Sequence, residues 1–134
     1  MSAFKLNIYT PQGIIINQLD CIELKIPTVR GEINVLANHT HVLTQLGTGI
    51  LTASTSDGKK HFSITAGLCK VLDGRVDILA YTSESVESLD LDRAKNAKDT
   101  ANKKLQDTLT DVELIKYRRK LKRAENRIRL ANLK

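Results

Sequence analysis

The chain has no Trp and only five aromatic residues among its 134: Phe4, Tyr9, Phe62, Tyr81 and Tyr117. Only Tyr117 falls in the C-terminal third, so that region has almost nothing on which nucleic-acid bases could stack. No apolar run approaches the roughly 18–20 residues that a membrane-spanning helix needs. Met1-Ser2-Ala3-Phe4-Lys5 lacks the basic segment and apolar run of a secretory leader, so a cytosol-like compartment is expected. Cysteine is scarce too: Cys21 and Cys69 sit far apart in apolar runs with no Cys or His at ligand spacing. They read as two buried free thiols rather than a disulfide or a metal site. The motifs of catalysis are also missing, with neither a Gly-x-Ser-x-Gly elbow nor a phosphate-loop glycine pattern. His39 and His41 share a polar turn without a third ligand, and a structural or contact role is expected for them.

What is present divides near residue 88. Residues 1–87 carry seven Lys/Arg against eight Asp/Glu, whereas residues 88–134 carry fourteen against seven. The excess positive charge of the chain, +6 overall, therefore lies after the break. Residues 1–87 are expected to form one domain and residues 88–134 a second.

The first part has the period of strands. Phe4, Leu6 and Ile8 alternate with polar residues, as do Ile22, Leu24 and Ile26. Pro11-Gln12-Gly13 supplies a turn, and Asp57-Gly58 and Asp73-Gly74 each separate two strand-like runs, a strong hairpin signal. The runs around them are Gly49–Thr55, His61–Ala66, Cys69–Leu72 and Val76–Tyr81. Short strands with frequent turns predict a sandwich or flattened barrel.

After Ser88 the period becomes helical. Ala94, Ala97, Ala101 and Leu105 form a narrow stripe, with Ser88 and Asp90 as candidate N-caps. Thr110-x-x-Glu113 is a capping box that opens a second helix. Its expected stripe is Val112, Ile115, Leu121, Ala124 and Ile128. The short connection Asp107–Leu109 predicts an antiparallel hairpin, and no Gly or Pro after Gly74 interrupts it. An Ala-rich seam buries little area per residue, so such a hairpin is expected to open readily. The remaining faces are basic and rich in Arg, which offers a planar fork for carboxylate or phosphate. A solvated charged face is the plain alternative.

The chain resembles the epsilon subunit of the F-type proton-translocating ATP synthase over its whole length. The resemblance is carried by Thr10-Pro11-x-Gly13, Gly31-Glu32-Ile33-x-Val35-Leu36-x-Asn38-His39, Ile64-x-Ala66-Gly67, Val76-x-Ile78-Leu79-Ala80 and Leu89-Asp90-x-x-Arg93-Ala94. It implies an α+β, mainly β fold: an N-terminal ten-stranded β-sandwich followed by a C-terminal antiparallel two-helix hairpin. It also implies a non-catalytic subunit that couples the central stalk to the c-ring. The β half would bind the gamma subunit and touch the c-ring through a loop containing Glu32 and His39. The helical half would inhibit ATP hydrolysis when extended toward the catalytic head, with Arg118, Arg119, Lys122 and Arg123 facing an acidic surface of the beta subunit, beside alpha.

Some bacterial members of this family bind ATP as a regulatory ligand at the folded hairpin. The matching residues here are Glu84, Leu89, Asp90, Arg93, Ala94, Arg123 and Arg127, and no cofactor is otherwise required. The alternative is that Asp90 caps the helix and the arginines pair with carboxylates or solvent. Asn34 stands where Gly is usual, Ala37 replaces a common Pro, and Thr100 replaces a further arginine of the ATP-binding members. The implied location is the cytoplasmic face of a bacterial inner membrane, held there only through the complex, with the stromal face of a plastid thylakoid as the alternative. A basic module that binds nucleic acid and a free-standing nucleotide sensor are the competing functions.

Overall fold

The computed structural model describes residues 3–37, 41–85 and 90–133. The chain divides into two compact units, Met1–Ser85 and Val86–Lys134, and each is described by itself.

The first unit contains eight strands among the described residues: β1 Phe4–Thr10, β2 Gly13–Cys21, β3 Glu23–Thr28, β4 Gly31–Leu36, β5 Val42–Leu46, β6 Gly49–Thr55, β7 Gly58–Leu72 and β8 Arg75–Ser85. Their order is β2-β1-β8-β7-β5-β3-β4, with β6 bridging β3 and β7. All pairings are antiparallel except β1 with β8, where Leu6 pairs with Val76 and Ile8 with Ile78. The strands wrap a core of Leu6, Ile8, Leu24, Ile26, Val35, Leu46, Leu51, Ile64 and Ile78, each at most 1% exposed. Burying each such side chain contributes about 1.5–3 kcal/mol before the entropy of ordering is set against it.

The strand count is eight rather than ten, and β7 shows how separate runs can merge. The runs His61–Ala66 and Cys69–Leu72 are one continuous strand of 15 residues. The residues between them are Gly67, at φ +133°, and Leu68, and Ala66 just before them turns to φ +48°. Pairing with β8 nevertheless keeps one register through the kink, Thr65 with Thr82 and Gly67 with Ala80. On the other edge β7 changes partner, from β6 at Ile64 to β5 at Gly67. A Cβ at Gly67 would run into the Leu79 carbonyl oxygen, so both the conformation and the space require Gly.

Three turns share a device that the sequence repeats as Thr-x-x-Gly. In Thr10–Gly13, Thr28–Gly31 and Thr55–Gly58 the Thr hydroxyl donates to the Gly carbonyl, at 3.2, 2.5 and 2.8 Å. The β6–β7 loop is therefore Ser56-Asp57, with Gly58 already in the strand, one residue earlier than the Asp57-Gly58 signal suggests. Asp73 and Gly74 both adopt positive φ, 49° and 73°, the geometry that a two-residue hairpin favours.

Cys21 and Cys69 are buried free thiols. Burial pushes Cys21 up to about 11, with Asp20 adding to the rise and Lys60 opposing it. Burial likewise pushes Cys69 up to about 12, helped by Asp77. Both stay protonated and inert at neutral pH.

The second unit is a hairpin of α1 Leu91–Leu105 and α2 Asp111–Ala131. Asp90 is the N-cap of α1, its Oδ1 accepting from the Arg93 N–H at 3.0 Å. The capping box of α2 is complete: Thr110 Oγ1 accepts from the Glu113 N–H at 3.2 Å, and Glu113 accepts from the Thr110 N–H at 3.4 Å. The stripe of α1 is as expected, with Ala94 and Ala101 buried and Ala97 and Leu105 half-buried. The stripe of α2 is not. Val112 and Ile115 are 77% and 52% exposed, and the inward series runs Leu114, Tyr117, Leu121, Ala124 and Ile128. Val112 and Ile115 lie about 200° and 100° around the helix from Leu114, so they cannot share its seam. Leu121, Ala124 and Ile128 of the expected stripe do lie on the seam; only its first two residues fall on the outer face.

Candidate functional site

In a two-layer sheet unit, inward residues make the core and outward ones are normally polar. One outer face here departs from that rule. Ile14 of β2 pairs with Tyr9 of β1, Tyr9 with Leu79 of β8, and Leu79 with Leu68 of β7. Four neighbouring strands thus set apolar side chains in one register-matched row. Ile14, Leu79 and Leu68 are 61%, 53% and 46% exposed, and Tyr9 is half-buried. Tyr81 on β8 and Leu43 on β5 extend the patch at 60% and 73% exposure. Single exposed apolar residues are ordinary, but a contiguous row across four strands marks a surface meant to be covered.

A polar margin runs beside the row. Asn7, Asp77 and Lys70 occupy the next row across β1, β8 and β7, which ends at the exposed Leu43 on β5. Asn7 Nδ2 donates to Asp77 Oδ1 at 3.0 Å, and Arg75 Nε donates to the same oxygen at 3.0 Å. That hydrogen bond and charge raise the Arg75 pKa further. Lys5 and Asp20 pair at 2.5 Å at the edge of the unit. Mixed charge around an apolar centre is the usual anatomy of a protein interface.

The residues expected from sequence fall in several places. Glu32 is exposed on β4, whereas His39 and Leu89 lie outside the described residues. Glu84 belongs to the β unit, where its N–H donates to Ser63 Oγ at 3.1 Å. Asp90, Arg93 and Ala94 form the first turn of α1, with one Asp90 oxygen engaged in the cap. Arg123 and Arg127 lie one turn apart on α2. Counting outward from the connection, the antiparallel hairpin sets the first turn of α1 level with that stretch of α2. Arg118, Arg119, Lys122 and Arg123 are exposed on α2. Lys116 and Lys120 bracket the Tyr117 ring at 5.6 and 5.4 Å, which leaves that ring badly placed to stack on a base.

Elsewhere the chemistry is thin. His41 Nε2 meets Asp73 Oδ1 at 3.1 Å, and His61 Nδ1 shares a hydrogen bond with Thr52 Oγ1 at 2.9 Å. An open cleft of 390 Å³ lies between β2 and the β6–β7 turn, with Asp20, Asp57 and Lys60 on its walls. It lacks the enclosed apolar base that small-molecule sites usually have. Among the described residues no group of His, Cys, Asp and Glu could hold a metal ion, and no helix is long and apolar enough to cross a membrane.

A sandwich with an exposed apolar row, followed by a basic helical hairpin, is the architecture of a subunit of a larger assembly. Two family models span the chain: ATP synthase, Delta/Epsilon chain, beta-sandwich domain over residues 3–86, and ATP synthase, Delta/Epsilon chain, long alpha-helix domain over residues 87–132. The chain belongs to the ATP synthase delta/epsilon chain family, as an epsilon subunit of the central stalk. It is 33% identical over 135 aligned residues to the ATP synthase epsilon chain of Staphylococcus aureus strain JH9, covering all of both chains. Among solved structures, a chain of the Euglena gracilis mitochondrial ATP synthase OSCP/F1/c-ring assembly is 27% identical with a TM-score of 0.84, matched over 100% of this chain and 83% of that one. A chain of the Tetrahymena thermophila mitochondrial central stalk and c-ring, at 16% identity and TM-score 0.61, covers 96% of this chain and 93% of its own and shares the fold.

Proposed function

We propose that the β unit holds this subunit on the gamma subunit of the stalk and against the c-ring, while the basic hairpin restrains ATP hydrolysis by the catalytic head. The observation that carries the docking reading is the row Ile14–Tyr9–Leu79–Leu68. An apolar face with a charged margin suits a protein partner, and the solved relative from Euglena gracilis sits in an assembly of F1 with the c-ring, which supports those surroundings. The subunit would then sit at the membrane only through the complex. The restraining role is supported by α2, where exposed Val112 and Ile115 lead into exposed Arg118, Arg119, Lys122 and Arg123. Such a helix has a second amphipathic face suited to an acidic surface on beta or alpha. Arg93, Arg123 and Arg127, near the positive end of α1, make ATP the regulatory ligand we favour for the hairpin.

Nucleic-acid binding is the weaker reading, because Tyr117 is bracketed by two lysines and the apolar face would have no role. The test is reconstitution with a catalytic head and stalk stripped of their own copy of this subunit. Leu79→Asp should weaken binding roughly tenfold to a hundredfold. Neutralising Arg118, Arg119, Lys122 and Arg123 should relieve inhibition while binding persists. If the unaltered chain leaves hydrolysis unchanged, the inhibitory role is wrong. Titration of the isolated chain with ATP decides the ligand separately, and Arg127→Ala should abolish any binding.

A further inference from the structure

The position of Ile14 in the apolar row depends on a strand that does not run regularly. In β2, Ile14 faces Tyr9 and Ile16 faces Ile8, so Ile15 is an extra residue; Leu19 faces Leu6, so Asn17 and Gln18 together oppose Asn7. These two bulges set the parity of the strand. Ile14 points outward, while Ile16 and Leu19 pack on the core. With a period of two, a slip of one residue would turn the last part of the strand inside out.

Gln18 sits at φ +53°, a conformation that costs energy for any residue but Gly. It is held there by Asn7. Asn7 lies on the outer side of β1 but is only 2% exposed. Its Oδ1 accepts from the Gln18 N–H at 2.8 Å, and its Nδ2 donates to Asp77 Oδ1 at 3.0 Å. One amide therefore joins β2 to β8 across β1, and the two partners dictate which way it faces.

We infer that Asn7 is a positioning residue for partner docking. It fixes the bulge at Gln18 and the carboxylate of Asp77 so that Ile14 and Tyr9 stand in line with Leu79 and Leu68. This rests on the reading of that row as the docking face. An edge strand free to slip would have to be ordered at the moment of binding, and the affinity would fall accordingly.

The experiment measures binding of the full chain to a catalytic head and stalk lacking this subunit, together with amide exchange at Gln18. Asn7→Asp keeps an acceptor for Gln18 but sets a carboxylate against Asp77. It should weaken binding roughly tenfold and speed Gln18 exchange. The exchanged pair, Asn7→Asp with Asp77→Asn, restores a donor facing an acceptor and should recover most of the lost affinity. A single variant that binds as tightly as the parent while Gln18 exchange quickens would overturn the inference. So would failure of the pair to recover affinity. Should Asn7→Asp not fold, Gln18→Val decides, because it strains the bulge at an exposed position: weakened binding supports the role of Asn7, and unchanged binding rejects it. Leu79→Asp serves as the control on the reading beneath. If it too binds normally, the face is not the docking surface.

Discussion

The two units are held together in different ways. The β unit encloses fully buried Leu, Ile and Val from its strands, with β2 adding Cys21 and half-buried Ile16 and Leu19. The hairpin buries Ala94, Ala101, Ala124, Asn126 and Leu130, with Leu114, Tyr117 and Leu121 only half-buried. Three alanines and one leucine remove far less apolar area from water than nine branched side chains, so the two units differ in resistance to opening. Helices of 15 and 21 residues are also near the length below which helices in water are marginal without packing. The difference suits the proposed division of work, a rigid platform that docks and a hairpin that can change partners.

Substitutions in each unit test this contrast. The largest effect is expected at the kink of β7. Gly67→Val adds a branched side chain where the Leu79 carbonyl already stands. It should cost upward of about 4 kcal/mol and leave the β unit unfolded by circular dichroism at ambient temperature. Leu24→Ala in the same core should cost about 2–5 kcal/mol in urea unfolding.

The two thiols give a pH test. Their folded pKa values, about 11 and about 12, lie above the ordinary 9.0. The folded state holds these protons more tightly than the unfolded one, so their contribution is complete below pH 9. It is lost as pH rises through 9 toward 11 and 12, by up to about 1.4 kcal/mol per pH unit for each thiol. Denaturation of Cys21→Ala and Cys69→Ala variants between pH 8 and 10.5 should show a flatter decline than the parent.

In the hairpin, Thr110→Ala removes the cap of α2 and should cost about 1 kcal/mol. Faster amide exchange confined to the first turn of α2 would register it. Val112→Ser with Ile115→Ser should change stability by less than about 0.5 kcal/mol because both are exposed, whereas Leu121→Ala should cost more. An inversion of that order would restore the stripe read from sequence.

What could be read in advance depended on how local the signal was. Alternation in Phe4–Ile8, the Asp73-Gly74 turn and the Thr110–Glu113 capping box involve residues close in sequence. The Thr-x-x-Gly turns are equally local. In α2, Leu121, Ala124 and Ile128 follow the expected stripe, but Val112 and Ile115 are apolar yet outward. Apolar character alone does not say which face a neighbouring helix will cover.

The apolar row of the β unit is less local still. Ile14, Tyr9, Leu79 and Leu68 are unremarkable one by one, and only pairing across four strands makes them a row. Asn7 looked like one more polar residue in an alternating strand, and nothing nearby announces its bond to Asp77 seventy positions away. The candidate nucleotide residues were nameable only because motif resemblance picked them out.

By itself the sequence determined the element types, most of the turns, the inert thiols and the gathering of positive charge after residue 88. Each of these follows from periodicity, capping or composition over a few residues. The tertiary structure alone decided that two β runs become one kinked strand, which face of α2 turns inward and that β2 is bulged. It also decided that an apolar row lies open across the sheet. Those outcomes depend on register between distant strands, and register is set by the simultaneous packing of all of them.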